Sequence, residues 1–312
     1  MHPMHLPLTQ PKSILVATDL SDLDFLLPVA IDQAKVTGAM IWLLHVVPPV
    51  VYTSTESRAY PFVPEEKTFR DAEAALAKAA FELQRKNLVC AYEVRRWYPV
   101  EQVTEFIREH EIERLILGTS SRGKLGKLLL GSVAEELIRS LDIPVCTAGP
   151  HFKPFPENNP HRVIFATSLR HHPEETFRLA VDLSAGLLAE LTVLHVREQD
   201  RLEDGIDAGA RPTIDEMLKG AKQMHLVPHI RIRSGEPAEE ILSECSALRP
   251  ELLVLGALPA SLLTATFRTG IAYRVIAQAP CPTFTLRSGS KTKHNRNGRE
   301  FSAVRSGSSH SG

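Results

Sequence analysis

At 312 residues the chain is long enough for two ordinary domains of roughly 150 residues, each able to bury its own core. Its 36 basic and 37 acidic side chains leave a formal net charge of −1, and 43% hydrophobic with 23% charged residues is the composition of a soluble globular protein. That balance excludes a strongly basic nucleic-acid binder, and no stretch reaches the roughly 18 uninterrupted apolar residues that a membrane span requires.

Met1 to Pro11 carries no basic start followed by an apolar stretch, so a cytoplasmic location is expected. Apolar runs suited to strands then fall near 13–18, 40–46, 91–96, 113–117 and 144–148, with segments of helical period between them. The clearest helix carries Phe69, Ala72, Ala75, Leu76, Ala79, Ala80 and Leu83 at intervals of three and four, one apolar stripe for a sheet. The strand runs are apolar without alternation, as when helices cover both faces of a parallel sheet.

From Gly149 to Pro160 the chain is too rich in proline for helix or central strand and reads as a linker. The pattern then starts again. Ile14-Leu15-Val16-Ala17-Thr18-Asp19-Leu20 recurs as Val163-Ile164-Phe165-Ala166-Thr167-Ser168-Leu169, and Leu43-Leu44-His45-Val46 recurs as Val193-Leu194-His195-Val196. Leu115-Ile116-Leu117-Gly118 likewise matches Leu253-Val254-Leu255-Gly256. The expected fold is α/β, two tandem doubly wound domains, each a five-stranded parallel sheet flanked by helices. The expected divisions are a first domain over 12–149, a linker over 150–160, a second domain over 161–287 and, because it lacks apolar residues, a disordered tail over 288–312.

The segment most suited to chemistry runs from Gly118 to Val133, after an apolar strand and into a helix. An open parallel sheet binds ligands there, outside the carboxyl ends of its strands. Glycine lets backbone amides approach an anion closely, and Gly131-Ser132 opens a helix whose free N–H groups attract phosphate. Arg122, Lys124 and Lys127 add positive charge. Two bland readings stand beside this one: the turn only closes the fold, and Asp19, with Ser21 and Asp22, only caps the next helix.

The phrase from Arg122 to Glu135, with Leu128-Leu129-Leu130-Gly131-Ser132-Val133-Ala134, resembles the nucleotide loop of the universal stress protein family, and both copies resemble that family over nearly their full length. Its ATP-binding members carry Gly, two residues, Gly, nine residues, then Gly and Ser or Thr. Here Gly118 and Gly131-Ser132 match, whereas Ser121 stands at the second glycine. The resemblance implies a strand order of 3-2-1-4-5, Asp19 on the ribose with Ala17 and Thr18 beside it, and Val46 against the adenine. It places Gly118, Ser121, Arg122, Gly131, Ser132 and Val133 around the phosphates of ATP, or of AMP or another adenine nucleotide, with Mg2+ accompanying ATP. It further implies that last strands pair, so that Pro144–Ala148 lies near Cys281–Leu286 in an internal pseudo-dimer. The function implied is that of a stress-response regulator or sensor without catalytic groups of its own. The alternative is a protein-interaction module that binds no nucleotide.

The second copy has lost these features: Ser168 stands for Asp19, Pro259 for Ser121, and Thr269-Gly270 for Gly131-Ser132. It is expected not to bind ATP in this way. It keeps Gly235-Glu236-Pro237 after its third strand, where the first copy has Trp97-Tyr98-Pro99, and Trp97 is expected to pack under its loop or at the domain interface rather than stack on a ligand. His45 and His195 read as hydrogen-bonded structural residues. Cys90, Cys146, Cys245 and Cys281 lack metal or redox spacing and read as buried thiols. His171 and His172 are neighbours on a helix and do not face one metal. No nucleophile elbow supplies an enzyme.

Overall fold

The computed structural model describes residues 10–49, 65–121, 129–152, 161–169, 174–197, 207–223, 225–256, 258–259 and 270–288. Residues 153–160 of the expected linker, the expected tail beyond Ser288, and His171 and His172 lie outside the described residues.

In the first copy the elements run β1 (Ser13–Ala17), α1 (Leu23–Thr37), β2 (Met40–Val47), α2 (Glu65–Arg85), β3 (Cys90–Arg96) and α3 (Pro99–Glu109). They continue with β4 (Arg114–Gly118), the two-residue strands β5 (Ser120–Ser121) and β6 (Leu129–Leu130), α4 (Ser132–Ser140) and β7 (Val145–Ala148). The second copy repeats the plan with β8 (Arg162–Ala166), α5 (Glu174–Gly186), β9 (Glu190–Arg197), α6 (Asp207–Gln223), β10 (His229–Ser234) and α7 (Pro237–Leu248). It closes with β11 (Leu252–Leu255), β12 (Leu258–Pro259), α8 (Ile271–Gln278), β13 (Thr283–Thr285) and β14 (Arg287–Ser288).

All the longer strands join one ten-stranded sheet in the order β10-β9-β8-β11-β13-β7-β4-β1-β2-β3. Each half is therefore 3-2-1-4-5 in its own strands, the order the resemblance implied. Within each half the pairs are parallel, and the halves meet where β7 runs antiparallel to β13, with Phe284 opposite Cys146. Threonines fasten the seam: Thr147 Oγ1 donates to the Thr283 carbonyl at 3.2 Å and Thr285 Oγ1 to that of Val145 at 3.3 Å. The last strands of the two copies thus pair within one chain, as a pseudo-dimer requires.

Strand residues alternate between two cores. Ile14, Val16, Ile41 and Leu43 pack on the side of α1, α2 and α5, while Leu15, Leu44 and Val46 pack on the side of α3, α4, α7 and α8. The apolar stripe of α2 buries Ala72, Leu76, Ala79, Ala80 and Leu83 against this sheet. All four cysteines are buried free thiols. Among the described residues no helix is long and apolar enough to cross a membrane.

Candidate functional site

The turn that leaves β1 is built the same way in both copies. Thr18 Oγ1 accepts from the Leu20 amide at 2.8 Å, and Thr167 Oγ1 from the Leu169 amide at 3.0 Å. Leu20 and Leu169 both take positive φ, 71° and 58°, which an L side chain adopts only where its surroundings hold it. The repeated histidines finish the clamp, His45 Nδ1 donating to the Thr18 carbonyl at 2.8 Å and His195 Nδ1 to that of Thr167 at 3.0 Å. These contacts fix the nitrogen that carries the proton. Both histidines brace the turn, and His45 also lines the cavity beside it.

Identical scaffolding presents Asp19 in one copy and Ser168 in the other. Asp19 is exposed, and its Oδ1 accepts from both the amide and the hydroxyl of Ser21, at 2.8 and 2.7 Å. Asp22, by contrast, is 4% exposed and takes a short hydrogen bond from Thr18 Oγ1. It occupies the N-cap position of α1 without making a side-chain cap. Burial pushes its carboxyl from 3.8 up to about 6, against the lowering effect of the Thr18 hydroxyl.

These residues open onto a cavity of about 490 Å³ at the carboxyl ends of β1, β2 and β4. Ala17, Thr18, Asp19 and Val46 line it from the first two strands. Gly118, Gly131, Ser132 and Val133 line it from β4 and the start of α4. Eight of the ten sequence-derived candidates therefore meet in one place. Ser121 lies in β5, where its backbone pairs with Leu129 of β6 and closes the base of the loop between them. Arg122, with Lys124 and Lys127, lies outside the described residues.

Gly131 is the N-cap of α4, in extended conformation (φ −63°, ψ 148°) and with no side-chain cap. The first amides of α4 lack partners within the helix, so this end of the cavity suits an anion. The sequence marks Asp22 only as a helix cap and carries no sign of Pro48, Pro99 and Val103, which join Leu44, Leu117, Ala134 and Leu137 on the apolar side of the cavity. The apolar flank of a strand end and the first turn of a helix give no motif to find them by.

In the second copy the register at the last helix differs from that expected. Gly270 is the N-cap of α8, with φ −75° and ψ 156°, so Gly270 matches Gly131 and Ile271 takes the place of Ser132. The segment from this cap to the last strand is one residue shorter than in the first copy, which displaces the alignment that the strands alone suggest. The hydroxyl is lost all the same. The base of the loop also differs, since β12 pairs with β14 instead of folding back on the helix start.

Trp97 corrects a second expectation. It does not pack under its loop or at the domain interface, for it is 64% exposed, and its φ is 94°. Its amide donates to the Val47 carbonyl at 3.1 Å, as the amide of Gly235 (φ 155°) does to that of Arg197 at 3.0 Å. The same amide-to-carbonyl contact recurs in both copies, at a positive φ each time, and the indole stands exposed.

A doubly wound α/β half-sheet with a crevice at its strands' carboxyl edge, duplicated within one chain, defines the class of protein. The sequence profile of the universal stress protein family matches residues 11–148 and 160–287, and the chain belongs to that family as a tandem, two-copy member. Universal stress protein MJ0531 of Methanocaldococcus jannaschii is 25% identical over 135 residues, 43% of this chain and 79% of that protein. A universal stress protein from Archaeoglobus fulgidus DSM 4304 superposes with a TM-score of 0.70 at 20% identity, covering 90% of this chain and 100% of that one. Protein PA1789 of Pseudomonas aeruginosa PAO1, of unknown function, gives 0.64 at 18% identity, covering 91% and 95%. At these identities the two solved structures speak for the fold.

Proposed function

We propose that the first copy binds an adenine nucleotide, ATP or AMP, and that the chain acts in stress response as a regulator or sensor rather than as an enzyme. The observation that carries this reading is the convergence of Asp19, Val46, Gly118, Gly131, Ser132 and Val133 on one cavity of about 490 Å³. That volume falls in the roughly 300–1,000 Å³ range of small-molecule sites. In this reading the α4 amides and the Ser132 hydroxyl take phosphate oxygens, and Val46 covers one face of the base. Asp19, whose Oδ1 already serves Ser21, offers Oδ2 to the ribose hydroxyls. Mg2+ would accompany ATP and screen its phosphates from Asp19 and Asp22. The second copy, with Ser168 and Ile271 at the matching positions, serves as scaffold.

Nucleotide held at the start of α4 shifts the loop from Ser120 to Leu130 towards one conformation, which is the change a partner could sense. Hydrolysis is expected to be slow. Isothermal titration of the whole chain with ATP tests the reading: the unmodified protein gives saturable heat and Gly131→Trp, which fills the cavity, gives none. No heat from the unmodified protein would leave the alternative, an interaction module that binds no nucleotide.

A further inference from the structure

A second concavity, of about 340 Å³, lies on the other face of the sheet, between α1 and α5, and shares no lining residue with the cavity at β1 and α4. It sits between the two copies. The offset that carries His45 onto His195 also carries Asp32 of α1 onto Asp182 of α5, and both aspartates line this cleft. The helices approach closely beside them, since a Cβ on Gly186 would stand 3.0 Å from Val36 Cγ1.

The charges around the cleft are unequal. On the acidic side stand exposed Asp32, half-buried Asp182, and Glu251 just before β11. Glu251 is paired with His161. On the basic side Arg114 is 0% exposed, its Nη1 donates to Gln33 Oε1 at 2.9 Å, and its guanidinium lies 5.2 Å from the Phe284 ring centroid. It forms the floor, already engaged. Burial raises the Asp182 carboxyl from 3.8 to about 6 against the opposing charge of Arg178. Burial also raises Asp32, the charge of Glu251 adding to it, with Lys35 and His161 opposing. Between the acids the walls are hydrocarbon, from Val29, Val36, Leu183, Leu187 and Phe152.

We propose that this cleft binds a small organic cation, an alkyl amine or diamine, with its ammonium groups on Asp32 and Asp182 and its methylenes along Val36, Leu183 and Leu187. Charge complementarity selects the class: two carboxylates whose local cations leave them destabilised gain most from an ammonium brought in on an apolar stem. A neutral or anionic ligand of the same shape would leave both acids as they are. Because the two aspartates belong to different copies, an occupant spans the junction and braces α1 against α5.

Titration of the full chain with cadaverine, with its neutral diol analogue and with valerate tests the class directly. Saturable one-to-one binding of cadaverine alone is expected, weakening as the pH falls from 7.5 to 5 and Asp182, raised to about 6, takes up a proton. Asp32→Asn and Asp182→Asn should each weaken it by about tenfold, the loss of one charge-assisted contact, and together abolish it. Binding of ATP should not change in either variant, so this result is separable from the nucleotide reading. The proposal fails if the diol or valerate binds as well as cadaverine, if cadaverine does not bind, or if folded asparagine variants bind it unchanged. The three-ligand comparison on the unmodified chain decides the matter even if a variant does not fold.

Discussion

Gly118, the last residue of β4, lies against the buried carboxylate of Asp22 so closely that a Cβ there would overlap Asp22 Oδ2 and stand 3.1 Å from its Cγ. The strand end and the start of α1 are thus fitted to each other through the absence of a side chain. Gly118→Ala must push Asp22 away from Thr18 or displace β4. Overpacking of this kind costs typically about 1–3 kcal/mol. A lower urea midpoint and weaker ATP binding are expected together. An unchanged midpoint would mean that Asp22 swings aside freely.

Asp22 also sets a pH dependence. Its folded-state carboxyl is raised to about 6, chiefly by burial, with the charge of Asp19 adding and the Thr18 hydroxyl opposing. A carboxyl raised on folding binds its proton more tightly in the native state, so stability falls as pH rises from about 4 to about 6. Above that window the buried anion costs at most about 3 kcal/mol. Asp22→Asn keeps an oxygen for the Thr18 hydroxyl and has no charge to bury. Its stability advantage over the parent should therefore be small near pH 4, grow to pH 6 and then level off. Because Asp182 titrates in the same window in both proteins, the difference between their urea midpoints isolates Asp22.

Trp97→Gly should stabilise the protein. The turn imposes a φ of 94° on Trp97, where the second copy uses Gly235, and the indole is 64% exposed, so little packing is lost. Relief of backbone strain of order 1–3 kcal/mol outweighs the roughly 0.5–1 kcal/mol entropic cost of a glycine. A rise of a few degrees in the thermal midpoint is expected, with Trp42 remaining as the fluorescent reporter. A fall would show that the indole makes contacts worth more than the strain.

The inner strands were legible in the sequence because both sheet faces are covered there, so that each is a run of apolar residues such as Leu115-Ile116-Leu117, whereas the edge strands β3 and β10 mix in Arg95, Arg96, Arg231 and Arg233. The resemblance to a known family supplied the strand order and the pairing of last strands. Four features could not be read. The exposure of Trp97 follows from a backbone dihedral that nothing in Trp97-Tyr98-Pro99 announces. The N-cap at Gly270 follows from a segment one residue shorter, which leaves the apolar pattern intact. Asp22 resembles any acid at the start of a helix until Thr18 and Gly118 close over it, and Asp32 and Asp182 come to line one cleft only after β7 and β13 have paired. Local pattern reports which face is buried, but not which polar groups the long-range pairing will bring together.

The same logic makes Arg114 and Gln33 a test of the asymmetry between the copies. Arg114 opens β4 and Gln33 faces it from α1, with the Nη1 to Oε1 hydrogen bond at 2.9 Å, and burial lowers the guanidinium to about 10. The repeat puts leucine at both matching positions, Leu252 for Arg114 and Leu183 for Gln33, so one plan accommodates either a polar pair or an apolar one. Gln33→Leu alone removes an acceptor from a buried charge, and Arg114→Leu alone removes a donor from a buried amide. Each should cost about 2–4 kcal/mol. The double substitution leaves neither group without its partner and should cost about 1–3 kcal/mol less than the sum of the single costs, as coupled neighbours do. Urea denaturation of the four proteins measures that difference. Strict additivity would show that Arg114 is held by its other surroundings and that Gln33 is incidental to it.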